Sequence, residues 1–212
     1  MRVSPQLSNR LVAAARSVLN RYIPDVYIYT DVYRGEDSGN SPGYALTLLA
    51  SSTSHVLHSS EASSCAPPSH PSLAPPRRGE PAPSWVPPSP EDLGIAAARQ
   101  LLEEIRRGGC VDRGFEWLVA TMLVLGGEDV GRAMVGGPLD AFFIEHLRDL
   151  RAFFGTTFKI KAVAPAGAGA GAPELADVGG APQALGAKAE AAEEYILSCV
   201  GTGYTNTAKK TG

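Results

Sequence analysis

Two stretches of low complexity limit how much of this chain can fold into a packed domain. Residues 59–88 are dense in proline and serine, and residues 164–189 are rich in alanine and glycine. Neither stretch carries enough periodic apolar residues to bury a surface that would offset the entropy lost on ordering the backbone. We therefore predict a disordered insertion at 59–88 and a second low-complexity insertion at 164–189.

The N-terminal part of the chain carries the pattern of a helix followed by strands. Apolar residues at helical spacing predict an amphipathic helix that begins at Ser8 or Asn9 and runs to about Arg21. Its arginines, which precede any acid, also match the composition of a mitochondrial transit peptide, and this is the alternative interpretation. A run of β-branched and aromatic residues predicts a strand at 26–30, and further strands are predicted at 44–51 and 55–59.

The clearest helix signal follows the first insertion. Ser89 is a good N-cap, Pro90 suits the first helical position, and Asp92 completes an S-x-x-D capping box. Gly108 supplies the C-terminal stop.

The remaining segments extend the same mixed pattern. Residues 116–125 are apolar nearly all round, which predicts a helix buried on most sides. A further helix is predicted within 140–155, with strands at 157–161 and 195–201. The glycine-rich run at 126–137 lacks the spacing of a phosphate-binding loop, so turns and close packing explain its glycines. The fold class predicted from these elements is α/β (α+β).

Composition narrows the functional classes. The formal net charge is −3, so contact with RNA would require a local basic patch. Three dispersed cysteines favour a reducing intracellular compartment, and the longest apolar run is too short to span a bilayer. His55 and His58 would point to opposite faces of a strand, and no second ligand pair has suitable spacing. We predict no metal, no other cofactor and no membrane partner.

His146 is the one histidine in the stretch DAFFIEHLRDLRAFFG at 140–155. On a helical wheel, Phe143, Leu147 and Leu150 share the apolar face, and His146 lies about 70° from its centre. A histidine at such a boundary is more often a half-buried packing residue than a nucleophile or a base. Packing is therefore favoured, and catalysis by His146 is the alternative.

Three segments together resemble the RNA 3′-terminal phosphate cyclase family, and in particular its eukaryotic cyclase-like branch. They are RVSPQLSNRLVAAARSVLNRYIPDVYIYTD, SPEDLGIAAARQLLEEIRRGGCVD and GPLDAFFIEHLRDLRAFFGTTFKIK. The resemblance implies a core of repeated β-α-β-α-β-β units, with a smaller α/β domain inserted into the last unit. Residues 1–108 would then be the insert domain and 109–212 the C-terminal part of the core. The earlier core units are missing, so we expect an incomplete fold.

The resemblance also implies what has become of the catalytic site. Catalytic members join ATP to a histidine as a covalent nucleotidyl intermediate, and Phe142 stands at the position of that histidine. Phe115 and Glu116 stand at an Asp-Gln pair of the cyclases. A phenyl ring has no lone pair for attack on phosphorus, and His146 lies one helical turn, about 5.4 Å, further along. We therefore expect no catalytic residue; the rival is an active ATP-dependent cyclase that uses His146.

The cyclase-like branch implies a non-catalytic role in ribosome biogenesis. That branch is associated with the nucleolar small-subunit processome, with the pre-rRNA cleavage that produces 18S rRNA, and with a ribosome-assembly GTPase as partner. We expect the same role here, with location in the nucleus and nucleolus and contact with processome proteins and pre-rRNA. A truncated, non-functional gene product is a further alternative, because the earlier core units are missing.

Seven charged residues are candidates for contact with RNA phosphates or with an acidic segment of a partner protein. Arg106 and Arg107 lie at the end of a predicted helix, and Lys159 and Lys161 lie on one face of a predicted strand. Another predicted helix carries Arg148, Asp149 and Arg151 away from or beside its apolar side. For each residue the alternative is an ordinary solvated surface charge.

Overall fold

The computed structural model of this chain describes residues 4–33, 36, 43–65, 86–163 and 193–205. These residues form four α-helices and two small sheets, which is the mixed α/β class that the sequence predicts. The chain divides into two units, Met1–Ile105 and Arg106–Gly212, each with its own apolar core. Within this described part, none of the helices combines the length and the apolar character needed to cross a membrane.

The first unit contains two helices and a two-stranded antiparallel sheet. Its elements are α1 (Pro5–Leu19), β1 (Ala45–Ser51), β2 (Leu57–Ser63) and nearly all of α2 (Pro90–Arg107). The two strands pair from Ala45 opposite Ser63 to Ser51 opposite Leu57. The buried apolar residues of this unit are Leu11, Ala15, Leu19, Leu46, Leu48, Leu93, Ala97, Ala98 and Leu101.

Helix α1 begins earlier than its apolar repeat predicts. Ser4 is the N-cap, and its Oγ accepts a hydrogen bond from the Gln6 backbone N–H at 3.4 Å. Pro5 occupies the first helical position, where its missing N–H costs nothing. The predicted start at Ser8 or Asn9 is therefore wrong, because the cap lies outside the apolar repeat that was used to find the helix.

Helix α2 begins as its capping box predicts. The Ser89 hydroxyl accepts from the Asp92 backbone N–H at 3.1 Å and donates to the Asp92 carboxylate at 2.6 Å. Gly94 then brings this helix close to α1, since an added Cβ would lie 2.5 Å from the Leu11 carbonyl oxygen. The local sequence therefore fixes both where α2 starts and how closely it packs.

The predicted strand at 26–30 is wrong. Within the described residues this segment makes no ladder with β1, and a cleft of about 590 Å³ lies between residues 25–29 and β1. Tyr27 and Tyr29 are 75% and 88% exposed, while the alternate residues Val26 and Ile28 pack against the core. The segment alternates like a strand but lacks the paired backbone of one.

Strand β2 extends into the segment predicted to be disordered. Residues 59–63 pair with β1, with Ser60 opposite Leu48 and Glu61 opposite Thr47. The Ser60 hydroxyl is buried and donates to the Ala97 carbonyl oxygen at 2.8 Å. The predicted disorder therefore begins too early, because pairing and a buried hydrogen bond hold a polar sequence in the sheet. Residues 66–85 of that prediction lie outside the described residues.

The second unit is a three-stranded antiparallel sheet with two helices. Its elements are a 3₁₀ turn (Arg113–Phe115), α3 (Glu116–Leu125), β3 (Val130–Gly136), α4 (Ala141–Phe154), β4 (Lys159–Val163) and β5 (Glu194–Val200). The strand order is β3-β5-β4, so the last strand in sequence is central. The core comprises Ala120, Val124, Val135, Phe143, Leu147, Leu150, Leu197 and Cys199. Strands β4 and β5 confirm the predictions at 157–161 and 195–201, whereas the insertion at 164–189 lies outside the described residues.

Strand β3 was missed because its glycines were interpreted as turns. Both glycines mark close approaches: a Cβ at Gly131 would lie 2.7 Å from the Leu123 side chain. A Cβ at Gly136 would lie 2.6 Å from the Arg107 carbonyl oxygen. Glycine inside a strand often marks such a contact, so the composition of this segment hides a strand.

Helix α3 is less buried than its apolar composition predicts. Glu116, Ala120 and Val124 are buried along one side, whereas Trp117 and Met122 are 42% and 56% exposed. The prediction of burial on most sides is wrong because, among the described residues, only one side of the helix packs on the core.

Candidate functional site

Phe142, the residue that the resemblance predicts at the position of the cyclase nucleophile, lies in the first turn of α4. Asp140 precedes the helix in an extended conformation, with φ −74° and ψ 147°. Phe142 is the second helical residue and is 65% exposed, while its neighbour Phe143 is fully buried. The ring at this position offers carbon atoms alone, so it has no lone pair with which to attack phosphorus.

His146 lies one turn further along α4 and contacts α3. Its Nε2 is 3.0 Å from the Thr121 hydroxyl and 3.1 Å from the Trp117 carbonyl oxygen. Its ring also meets the Trp117 indole edge-on, with centroids 6.2 Å apart. His146 is half-buried, which is the position that the helical wheel predicts for a packing residue.

The hydrogen bonds around His146 fix the role of its Nε2. The Thr121 hydroxyl donates to the Trp117 carbonyl oxygen at 2.8 Å, so the hydroxyl proton is already used. The carbonyl oxygen only accepts, and therefore Nε2 carries a hydrogen and is the donor in its own contacts. In that tautomer the imidazole lone pair lies on Nδ1, while Nε2 is occupied by its contacts with α3.

A buried ion pair holds the start of α3. Arg107 Nη2 donates to Glu116 Oε1 at 2.9 Å, and both side chains are 1% exposed. The same nitrogen donates to the carbonyl oxygens of Gly136 at 2.7 Å and Pro138 at 3.3 Å. The prediction that Arg107 contacts RNA or a partner is wrong, because its guanidinium is enclosed and bonded within the protein. Glu116 is likewise a buried structural partner.

Three of the predicted contact residues lie on the surface of α4. Arg148, Asp149 and Arg151 are all exposed, and Arg148 forms an ion pair with Glu145 one turn earlier. Arg106 is also exposed. These residues can reach an external partner, and the Arg148 guanidinium would exchange its Glu145 contact for any phosphate that it bound.

Lys159 and Lys161 lie on a different surface from the α4 residues. They stand opposite Ser198 and Ile196 of β5, which alternate with the buried Leu197. Opposite partners in a ladder share a face of the sheet, and successive residues alternate between faces. The two lysines therefore lie on the face that does not carry the core, whereas α3 and α4 pack on the other.

Arg132 joins the two lysines on that face and was missed from the sequence. It stands opposite Ser198 on β3, so Arg132, Ser198 and Lys159 form one row across the three strands. Met134, Ile196 and Lys161 form the next row. We call the surface made by Arg132, Lys159, Lys161 and Ser198 the basic sheet face. A correct prediction of strand β3 from the sequence would have placed Arg132 on this face.

The second unit contains two free cysteines, Cys110 and Cys199, in different environments. Cys199 is buried in the core, and burial raises the pKa of its thiol, which keeps it protonated. Cys110 is exposed and its thiol donates to the Met134 carbonyl oxygen at 3.1 Å. In the described part of the chain, no group of three or more His, Cys, Asp or Glu side chains is arranged to hold a metal ion.

Comparison with known proteins identifies the family. The family described as RNA 3′-terminal phosphate cyclase (RTC), insert domain, matches residues 1–106. The chain belongs to the RNA 3′-terminal phosphate cyclase family. Its curated relatives include proteins named as cyclase-like, which confirms the branch that the sequence resembles.

Three relatives show how far this similarity reaches. The human RNA 3′-terminal phosphate cyclase-like protein is 39% identical over 99% of this chain and 46% of its own length. A probable cyclase-like protein of Drosophila melanogaster is 37% identical over 99% of this chain and 47% of its own length. The rRNA processing protein rcl1 of Schizosaccharomyces pombe is 40% identical over 76% of this chain and 39% of its own length. The chain thus spans about half the length of the cyclase-like relatives that it matches.

Proposed function

We propose that this member of the cyclase family is a non-catalytic ribosome biogenesis factor that acts in rRNA processing. The observation that carries the proposal is the state of the nucleophile position. The resemblance aligns the exposed ring of Phe142 with that position, and the nearby His146 contacts the Thr121 hydroxyl and the Trp117 carbonyl oxygen of α3 through its Nε2. The relatives' names support the proposal, since they describe cyclase-like proteins and, in one case, an rRNA processing protein.

The finer role follows the expectation from the resemblance. The chain would support the pre-rRNA cleavage that yields 18S rRNA, as part of the small-subunit processome in the nucleolus. A ribosome-assembly GTPase and other processome proteins would be its partners, and pre-rRNA a further one. The exposed charges Arg106, Arg148, Asp149 and Arg151 are the candidate contacts for a protein partner, because they lie on helix ends and faces open to solvent.

Nucleotidyl transfer to the chain is the decisive test of the non-catalytic assignment. In the rival reaction, an imidazole nitrogen attacks the α-phosphorus of ATP and pyrophosphate leaves, so an α-label stays on the protein. The purified chain, its His146→Ala variant and an active cyclase are incubated in parallel with α-labelled ATP and a divalent metal ion. We expect label on the active cyclase alone. Label on this chain that is lost in His146→Ala would establish the rival cyclase function.

The role in rRNA processing has a separate test. The tagged chain is expected to co-purify with pre-ribosomal particles, and its depletion is expected to lower mature 18S rRNA while its precursors accumulate. The Phe142→Ala variant should restore 18S rRNA in depleted cells, because the proposal gives the ring no chemical task. Normal 18S levels after full depletion would contradict the proposal, whatever the outcome of the labelling experiment.

A further inference from the structure

The sheet of the second unit has a face that the core does not use. The side chains of Val135, Leu197 and Cys199 point into the core with α3 and α4. The residues between them in β3 and β5 contribute to neither apolar cluster of the described residues. Strand β4 is exposed along nearly its whole length. This face of the sheet is therefore accessible to solvent, with Met134, Ile196 and Ser198 half-buried on it.

This surface concentrates positive charge. Arg132, Lys159 and Lys161 are all exposed on it. From strand geometry, Arg132 and Lys159 stand about 10 Å apart across two strand spacings, and the two lysines about 7 Å apart along β4. The arrangement is a triangle of cations on one plane, in a chain whose overall net charge is −3.

The three cations lack carboxylate partners among the residues that the structure describes. Other basic side chains have them: Arg10 pairs with Glu91, and Arg148 pairs with Glu145. Glu194 lies on the same face one row from Lys161, opposite Val163, and its Oε1 accepts from the Gly109 backbone N–H at 2.9 Å. The charge of the basic sheet face is therefore available to an external anion.

The residues between the cations indicate which part of a nucleic acid this face would recognise. Ser198 lies between Arg132 and Lys159, and its hydroxyl donates to the Lys159 carbonyl oxygen at 3.4 Å. Met134 and Ile196 are half-buried apolar side chains. In the paired rows of this face, no aromatic ring is present on which a base could stack. Contacts with phosphates position a nucleic acid without reading its sequence.

We propose that the basic sheet face binds the phosphate backbone of single-stranded RNA without sequence preference. Arg132, Lys159 and Lys161 each contact a phosphate, and Ser198 lies in the row between Arg132 and Lys159. The inference rests on the proposed role in rRNA processing, which makes RNA rather than an acidic protein the expected ligand. It adds to that role a defined surface, separate from the helix residues proposed for protein partners.

The number of cations sets the expected dependence on salt. Three neutralised phosphates on a single strand give a slope of log K against log salt of about −2, at −0.7 for each phosphate. Binding should therefore weaken about 20-fold between 50 and 200 mM salt, and each cation removed should reduce the slope by about 0.7.

The test uses the full chain and a short fluorescein-labelled oligouridine, with binding followed by fluorescence anisotropy over a range of salt concentrations. The triple variant Arg132→Gln, Lys159→Gln, Lys161→Gln is expected to abolish the salt-dependent binding. The matched control is Arg16→Gln, Arg21→Gln, Arg99→Gln, which removes the same charge from exposed positions in the first unit and is expected to bind normally. Circular dichroism and urea unfolding verify that both triple variants fold.

Three results would overturn the inference. The first is wild-type affinity in the sheet variant, and the second is an equal loss in the control, which would indicate a general charge effect. The third is polyglutamate competing as well as oligouridine of equal charge, which would assign the face to an acidic protein. None of these three results would contradict the proposed function. That function would be contradicted by nucleotidyl labelling of the chain or by unchanged 18S rRNA after its depletion.

Discussion

Replacing Glu116 with glutamine tests how the second unit holds the buried guanidinium of Arg107. The substitution keeps the shape of the side chain and removes its charge, which leaves Arg107 as an enclosed cation without its carboxylate. Both side chains are 1% exposed, so water cannot take the place of the lost partner. Breaking a buried pair by removing one partner costs about 3–5 kcal/mol, a large part of the stability of an ordinary domain.

The double substitution separates the ion pair from the packing around it. Arg107→Met alone leaves the Glu116 carboxylate buried, and it deprives the Gly136 and Pro138 carbonyl oxygens of a donor. In Arg107→Met with Glu116→Gln both charges of the pair are gone. We therefore expect the double variant to be more stable than the sum of the two single losses predicts, by about 1–3 kcal/mol.

Urea unfolding followed by the fluorescence of Trp117 measures these differences in the unit that contains the pair. A Trp85→Phe background makes Trp117 the sole tryptophan. The matched control is Glu145→Gln, which removes one partner of the exposed pair with Arg148 and should change the free energy of unfolding by less than about 1 kcal/mol. A Glu116→Gln loss no larger than that of the control, or strictly additive single losses, would refute the reasoning.

Three further predictions follow from single contacts. Gly136→Ala should destabilise the second unit by about 1–3 kcal/mol in urea unfolding, because its Cβ would lie 2.6 Å from the Arg107 carbonyl oxygen and backbone must shift. Ser89→Ala should cost about 1 kcal/mol by loss of the N-cap of α2, and Ser89→Asp should retain most of it. Glu91 should titrate by NMR below an ordinary glutamate, because its hydrogen bond with Arg10 and, second, a backbone hydrogen bond lower its pKa, and Arg10→Gln should reduce this difference. Because the folded pKa is the lower one, any stability from this pair is present at neutral pH and lost as the pH falls through that lowered value.

Local signals in the sequence predicted the elements whose ends are set by local contacts. The capping box at Ser89 predicted the start of α2, and short apolar runs predicted β1 and β5. Predictions were wrong where a distant contact decides the outcome. Residues 26–30 alternate like a strand but make no ladder with β1, and β3 tolerates two glycines because other parts of the chain approach it closely.

The same distinction between local and distant contacts applies to the candidate site residues. The half-buried position of His146 follows from its place on the helical wheel, which depends on the helix alone. The burial of Arg107 could not be predicted, because its partner Glu116 and the acceptor carbonyl of Gly136 come from two other elements. Arg132 was missed for a related reason: its neighbours Ser198 and Lys159 meet it only across the assembled sheet.

The strand order of the second unit has a consequence for synthesis on the ribosome. Of the described strands of this sheet, β5 (Glu194–Val200) is the last to be translated. It lies between β3 and β4, and both of them pair with it. A nascent chain that has reached β4 still lacks the Leu197 and Cys199 side chains of its core. We therefore expect this sheet to close only after residue 200 has left the exit tunnel, which would leave α3 and α4 with an exposed apolar side until then.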